Sequence, residues 1–181
     1  MSALLDACSD ETYPAKPVLV LSNRPKALGL EIAAGRGVAT AAVDHKTYGD
    51  DRQAFEEIVH TKLEAAGTQI IALAGFMRVL TPWFVERWAG RMINIHPSLL
   101  PKYPGLNTHQ RAIDAGDTQH GCSVHWVTPV VDAGAVIDQE ALTIAPDDTS
   151  ETLAERLLPL EHRLYPRALE KACRQLSGAQ V

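Results

Sequence analysis

Hydrophobic positions along the chain fall into short blocks whose spacing switches between strand and helix. Residues 18–22 (Val-Leu-Val-Leu-Ser) form a β-rich run between Pro17 and the turn-like Asn23-Arg24-Pro25. A short helix is predicted over 27–34, ended by Gly35-Arg36-Gly37, and a second strand over 38–43. The clearest helix covers 51–66, with Phe55, Ile58, Val59 and Leu63 on one stripe and Gly67 as its stop signal. Residues 69–74 are continuously apolar after Gln69, as expected of a strand buried on both faces of a parallel sheet. Thr81-Pro82 has the form of an N-cap and first helical residue, opening a helix to Trp88, and 91–95 reads as the next strand.

The pattern then changes. Residues 119–128 alternate around Cys122, Val124 and Trp126, and 135–144 resembles a partner strand. The connection 129–134 is too long for a tight hairpin and suits a functional loop. Residues 149–176 are helical in composition, with Pro159 and Pro166 expected to break or kink the helix. Together these elements predict an α/β fold in one domain over 1–181, an open Rossmann-like sheet that is mainly parallel with antiparallel C-terminal strands.

Composition narrows the function classes. With 181 residues, 46% hydrophobic and 22% charged, the chain has the makeup of one globular domain rather than a disordered or collagen-like chain. A formal charge of −5 without a Lys/Arg block argues against nucleic acid or anionic lipid as partners. No apolar run reaches the roughly 18 residues of a membrane span, and no basic n-region or long apolar core marks a signal peptide. Cys8, Cys122 and Cys173 are odd in number and widely spaced, which fits free thiols and a cytoplasmic setting. The histidines His45, His60, His109, His120, His125 and His162 show no metal-ligand spacing, so no metal is expected.

Candidate chemistry concentrates at the end of the strand over 91–95. In an extended chain residues i and i+2 face the same way, so Asn94 and His96 project together, and Pro97 favours the extended geometry at His96. An amide donor beside an imidazole at a strand's C-terminal end can bind a carbonyl oxygen that becomes an oxyanion. On the pair alone, satisfied backbone groups in a Pro-rich loop are an equally good account. Asp132, two residues before Gly134, has by itself the form of a turn residue. Met77, Val79 and Leu80 by themselves read as core.

The whole stretch from Arg91 through Asn94-Ile95-His96-Pro97-Ser98-Leu99-Leu100-Pro101 to His109 resembles the signature of the phosphoribosylglycinamide formyltransferases, the folate-dependent transformylases of purine synthesis. The resemblance extends, in the family's order, over 72–82, 121–128, Asp132-Ala133-Gly134 and Glu161-His162 with Tyr165-Pro166, and so over nearly the whole chain. It implies transfer of the formyl group of 10-formyltetrahydrofolate, a cosubstrate, to the amine of glycinamide ribonucleotide, without a metal. By the resemblance, Asn94, His96 and Asp132 are the catalytic residues. The folate pocket would be formed by Arg52, Met77, Arg78, Val79 and Leu80 on one side, and by Thr128, Pro129, Val130, Val131 and Asp132 with Asn94 on the other. Gly75, Pro97 and Glu161 would line the ribonucleotide's path. Where family members often carry Gln three residues before that Glu, this chain has Leu158. The resemblance implies a monomer or homodimer acting on small molecules.

Family members open with a central strand and a Gly-x-Gly-Ser-Asn loop that binds the ribonucleotide phosphate, ahead of the helix matched by 3–8. This sequence carries neither, so the strands over 18–22 and 69–74 are expected to lack a neighbour between them. Two accounts are open: a start upstream of Met1, favoured by the intact site pattern, or an inactive form. Methionyl-tRNA formyltransferase and formyltetrahydrofolate deformylase share the Asn-x-His and Asp pattern but carry a further domain that this sequence does not show. A non-catalytic folate-binding protein is the alternative from another class.

Overall fold

In a computed structural model that describes residues 1–178, the chain runs α1 (Ser2–Ala7), β1 (Val20–Ser22), α2 (Leu28–Gly35), β2 (Thr40–Ala42), a 3-10 turn (His45–Tyr48), α3 (Arg52–Ala65), β3 (Ile71–Leu73) and α4 (Pro82–Arg87). It continues through β4 (Met92–His96), α5 (Thr108–Asp114), β5 (Gln119–Trp126), β6 (Val136–Thr143) and α6 (Ser150–Gly178). The last three positions of the expected 1–181 domain lie outside the described residues. The predicted α/β class holds, with shorter strands than the apolar runs suggested; α5 and the 3-10 turn are additions. Among the described residues no helix is long and apolar enough to cross a membrane.

The strands form two sheets. One is the parallel pair β1–β2; the other has the order β3–β4–β5–β6, parallel at β3–β4 and antiparallel after it. Alternation along β3 and β4 sorts side chains to two apolar layers. Ile70, Ala72, Ile93 and Ile95 face α1 and α6, while Ile71, Leu73 and Met92 face α3 and α4. Between β1 and β3 lies a cavity of about 690 Å3, lined by both strands, by Leu4 and Leu5 of α1, and by Val59, Leu63 and Phe84. In a parallel ladder successive residues point their N–H and C=O to opposite neighbours. Val20 N–H donates to Ala39 and Ser22 C=O accepts from Val43, so the backbone of Leu21 faces the cavity.

Local signals explain the helices that frame the site. Asp51 caps α3 by accepting the Ala54 N–H at 3.0 Å. Thr81 caps α4, with Pro82 as the first helical residue. The expected stripe on α3 is altered at one position: Glu56 is buried at 2% exposure and Ile58 is 40% exposed. The physical reason is a pair of hydrogen bonds that Glu56 makes to Thr81.

Pro159 and Pro166 do not end α6, which runs unbroken for 29 residues. Each proline costs about 3 kcal/mol in a helix interior, whereas burying one large apolar side chain contributes about 1.5–3 kcal/mol. Leu153, Leu157, Leu164, Tyr165 and Leu169 all lie on the buried stripe, which outweighs the two breaks. The Tyr165 hydroxyl donates to the Leu73 carbonyl at 2.7 Å, tying α6 to β3, and the Tyr13 hydroxyl donates to the Pro166 carbonyl at 2.7 Å.

Candidate active site

Met92, Asn94 and His96 share one face of β4, with Met92 in the apolar layer and the two polar side chains beyond it. The antiparallel register sets His125 of β5 directly opposite Asn94 and Ser123 opposite His96. The Asn94 side-chain nitrogen lies 3.4 Å from His125 Nε2, and His125 Nδ1 lies 2.9 Å from the Trp126 carbonyl. That carbonyl accepts the Nδ1 proton of the ring, which leaves Nε2 directed at Asn94 and Asp132. Burial lowers the His125 pKa.

Asp132 arrives from the β5–β6 connection with a left-handed backbone, φ 53°. Its Oδ2 accepts the Gly105 N–H at 2.8 Å and lies 3.3 Å from His96 Nδ1; its Oδ1 lies 3.5 Å from His125 Nε2. The three side chains are between 3% and 10% exposed. His96 Nε2 is 2.9 Å from the Tyr103 carbonyl, so both ring nitrogens of His96 face oxygen acceptors. Gly134 makes the loop possible: a Cβ there would lie 1.7 Å from the Trp126 carbonyl oxygen. The structure thus brings Asn94, His96 and Asp132 together and adds His125, which the sequence had left unassigned.

Two walls flank this cluster in sequence. Residues 75–80 follow β3, and among the described residues none of their backbone N–H or C=O groups is hydrogen-bonded within the chain. Met77 and Val79 are exposed, at 76% and 58%. On the other wall, Val130 and Val131 are also exposed, and the Thr128 hydroxyl donates to the Val130 carbonyl at 2.9 Å. Arg52 is the exposed first residue of α3, Gly75 has φ 69°, and Pro97 follows His96 directly. Glu161 is half-buried on α6, and burial raises its pKa; Leu158, at the expected Gln position, is half exposed.

A family model described as formyl transferase matches residues 1–169. The chain belongs to the formyl transferase family. The phosphoribosylglycinamide formyltransferase of Escherichia coli is 41% identical to it over 167 residues, covering 92% of this chain and 78% of that protein. The trifunctional purine biosynthetic protein adenosine-3 of Drosophila melanogaster is 45% identical over 171 residues, and the chain spans 13% of its length. Among solved structures, phosphoribosylglycinamide formyltransferase from Brucella melitensis is 44% identical, with a TM-score of 0.90 over 96% of this chain and 88% of that one. Glycinamide ribonucleotide transformylase 1 from Symbiobacterium toebii also superposes with a TM-score of 0.90, at 38% identity.

Two further histidines, one on α5 and one on β5, pair with each other. His109 Nδ1 lies 3.0 Å from His120 Nε2. Burial pushes the His120 pKa down to about 4 and lowers that of His109. The sequence signal for both His120 and His125 was their place on β5, the strand that pairs with the Asn94–His96 segment.

Proposed function

We propose that this formyl transferase moves the formyl group of 10-formyltetrahydrofolate to the amine of glycinamide ribonucleotide. The observation that carries the reading is the convergence of an amide donor, an imidazole and a carboxylate at the C-terminal end of β4. The amine nitrogen attacks the formyl carbon, forming the new C–N bond and placing negative charge on the formyl oxygen. Asn94, whose amide is otherwise bonded only weakly to His125 at 3.4 Å, donates to that oxygen. His96, oriented by Asp132, supplies a proton to it and takes it back as the tetrahedral centre collapses. The bond to the folate nitrogen then breaks, and the proton lost by the amine ends on that nitrogen.

The walls suit the folate. Its pterin has a flat apolar body edged by donors and acceptors, and 75–80 offers unpaired backbone groups between exposed Met77 and Val79. Arg52, Arg78, Leu80, Thr128, Pro129, Val130 and Val131 complete the folate assignment, with Gly75, Pro97 and Glu161 toward the ribonucleotide. The relatives named phosphoribosylglycinamide formyltransferase support the choice of acceptor.

The test is release of tetrahydrofolate from 10-formyltetrahydrofolate in the presence of glycinamide ribonucleotide. His96→Asn and Asp132→Asn are each expected to lower turnover by at least about a hundredfold while folate binding persists. Near-full turnover of either variant under saturating substrates would overturn the assignment.

A further inference from the structure

We infer that Glu56 is a positioning residue for the folate wall: its buried carboxylate fixes Thr81 and, through it, the segment 75–80. The inference rests on the folate reading of that segment given above. Glu56 is 2% exposed, the one fully buried acidic residue among the described residues. A carboxylate taken out of water must be compensated by hydrogen bonds. Both of its oxygens are spent on a single partner. Oε1 accepts the Thr81 N–H at 2.9 Å, and Oε2 accepts the Thr81 hydroxyl in a short contact. The same hydroxyl oxygen accepts the Phe84 N–H at 3.4 Å, so the chain of bonds runs from α3 through Thr81 into the first turn of α4.

The arrangement matters because nothing else of that kind holds the segment. No backbone group of 75–80 is hydrogen-bonded within the chain among the described residues, so the first backbone anchor after β3 is the Thr81 N–H on Glu56. The neighbouring residue on α3 acts alongside: the Arg78 guanidinium sits 5.8 Å from the centroid of the Phe55 ring, in cation–π range. Phe55 and Glu56 thereby grip Arg78 and Thr81 and bracket Val79 and Leu80 between them. A free backbone edge is useful for binding only if its geometry is set beforehand, since ordering a loose segment subtracts from affinity. Glu56 supplies that order without touching the ligand.

The experiment measures steady-state formyl transfer and direct folate-analogue binding for wild type, Glu56→Gln, Glu56→Ala and Thr81→Val. Amide exchange at Thr81 is followed in the same proteins. Glu56→Ala is expected to raise the folate KM and analogue Kd about tenfold, with kcat at saturation and the ribonucleotide KM within about twofold. Glu56→Gln, which keeps an acceptor oxygen, recovers most of the loss, and Thr81→Val reproduces the folate effect if Glu56→Ala does not fold. A merely structural role would lower kcat or the active fraction and move both substrates' constants together; that outcome overturns the proposal. So does an unchanged folate KM in Glu56→Ala or Thr81→Val with faster Thr81 exchange. If wild type itself binds no folate analogue, the folate reading falls and the proposal with it. Normal wild-type binding with unaffected variants overturns the role of Glu56 alone.

Discussion

Around the end of β4 the polar side chains are each held by a named neighbour, whereas between β1 and β3 two strand edges face a cavity of about 690 Å3. The difference lies in where the partners come from. Asn94, His96, His125 and Asp132 all belong to the four-stranded sheet and its β5–β6 connection, so a contiguous part of the sequence builds the cluster. Leu21 and its neighbours need a strand alongside, and the edges that border the cavity belong to two different sheets. Chemistry can be locally complete while sheet continuity is not.

The largest effect should come from closing that seam. On the proposed function, pairing the facing edges of β1 and β3 with an apolar strand that carries a Gly-x-Gly-Ser-Asn loop is expected to raise glycinamide ribonucleotide affinity by on the order of a thousandfold. The estimate assumes two or three charge-assisted hydrogen bonds to phosphate at about 1.5–3 kcal/mol each. Calorimetric titration reads the affinity, and hydrogen exchange should show new protection at Leu21 and Ala72, the residues that alternate with those already paired. Equal affinity and equal protection in the two proteins would mean that the seam is closed by other means.

On the folate reading, Val79→Asp should weaken binding of a folate analogue about a hundredfold, because an exposed apolar side chain offered to the ligand would become a charge. Unchanged affinity in a folded variant would make 75–80 a packing element only.

Acid should strike the polar cluster and spare the seam. Burial holds the His120 pKa down at about 4, and lowers those of His125 and His109. These rings bind protons more readily in the unfolded chain, near pH 6.5, so their contribution is present above that pH and is lost as pH falls through 6.5 toward 4. For His120 the loss amounts to about 1–3 kcal/mol. Urea denaturation at pH 7, 6 and 5 measures it, and His120→Asn should flatten the slope.

The smallest expected effect is at the loop hinge. Gly134→Ala forces a methyl toward the Trp126 carbonyl and should displace Asp132, lowering formyl transfer about tenfold. Full activity in this variant would show that the loop can shift without moving the carboxylate.

Much of the molecule was legible in the sequence, for stated reasons. Period-two and period-3.6 spacing located the strands and α3, and Thr81-Pro82 marked the start of α4, because those features act locally. The Asn94–His96 pair was legible because alternation alone puts both on one face. Asp132 was not legible from local spacing, since its role depends on a loop folding back to Gly105 and His96. His125 carries no local signal for its place beside Asn94, because its partner lies across a strand pair, 31 residues away. Ile58 and Glu56 exchanged their expected environments because a carboxylate with two donors is at home in a core, and hydrophobicity counts do not register donors. Pro159 and Pro166 misled for a similar reason: propensity is local, and the stripe on α6 is paid back across the whole sheet.

The bond from Tyr13 to Pro166 spans 153 positions of sequence and fastens the first helical layer to the last helix. On a ribosome adding about 5–20 residues per second, roughly 8–30 s separate the emergence of its two ends. Through that interval Leu4 and the α1 face of β3 have no α6 to pack against, so the nascent chain shows an apolar surface that its own C-terminus will later cover. Synthesis of this chain is therefore a race between the arrival of α6 and capture of that surface by chaperones or by other nascent chains. Slowing translation between codons 74 and 178, which lengthens that interval, should tilt the outcome toward aggregation more than slowing it before β3.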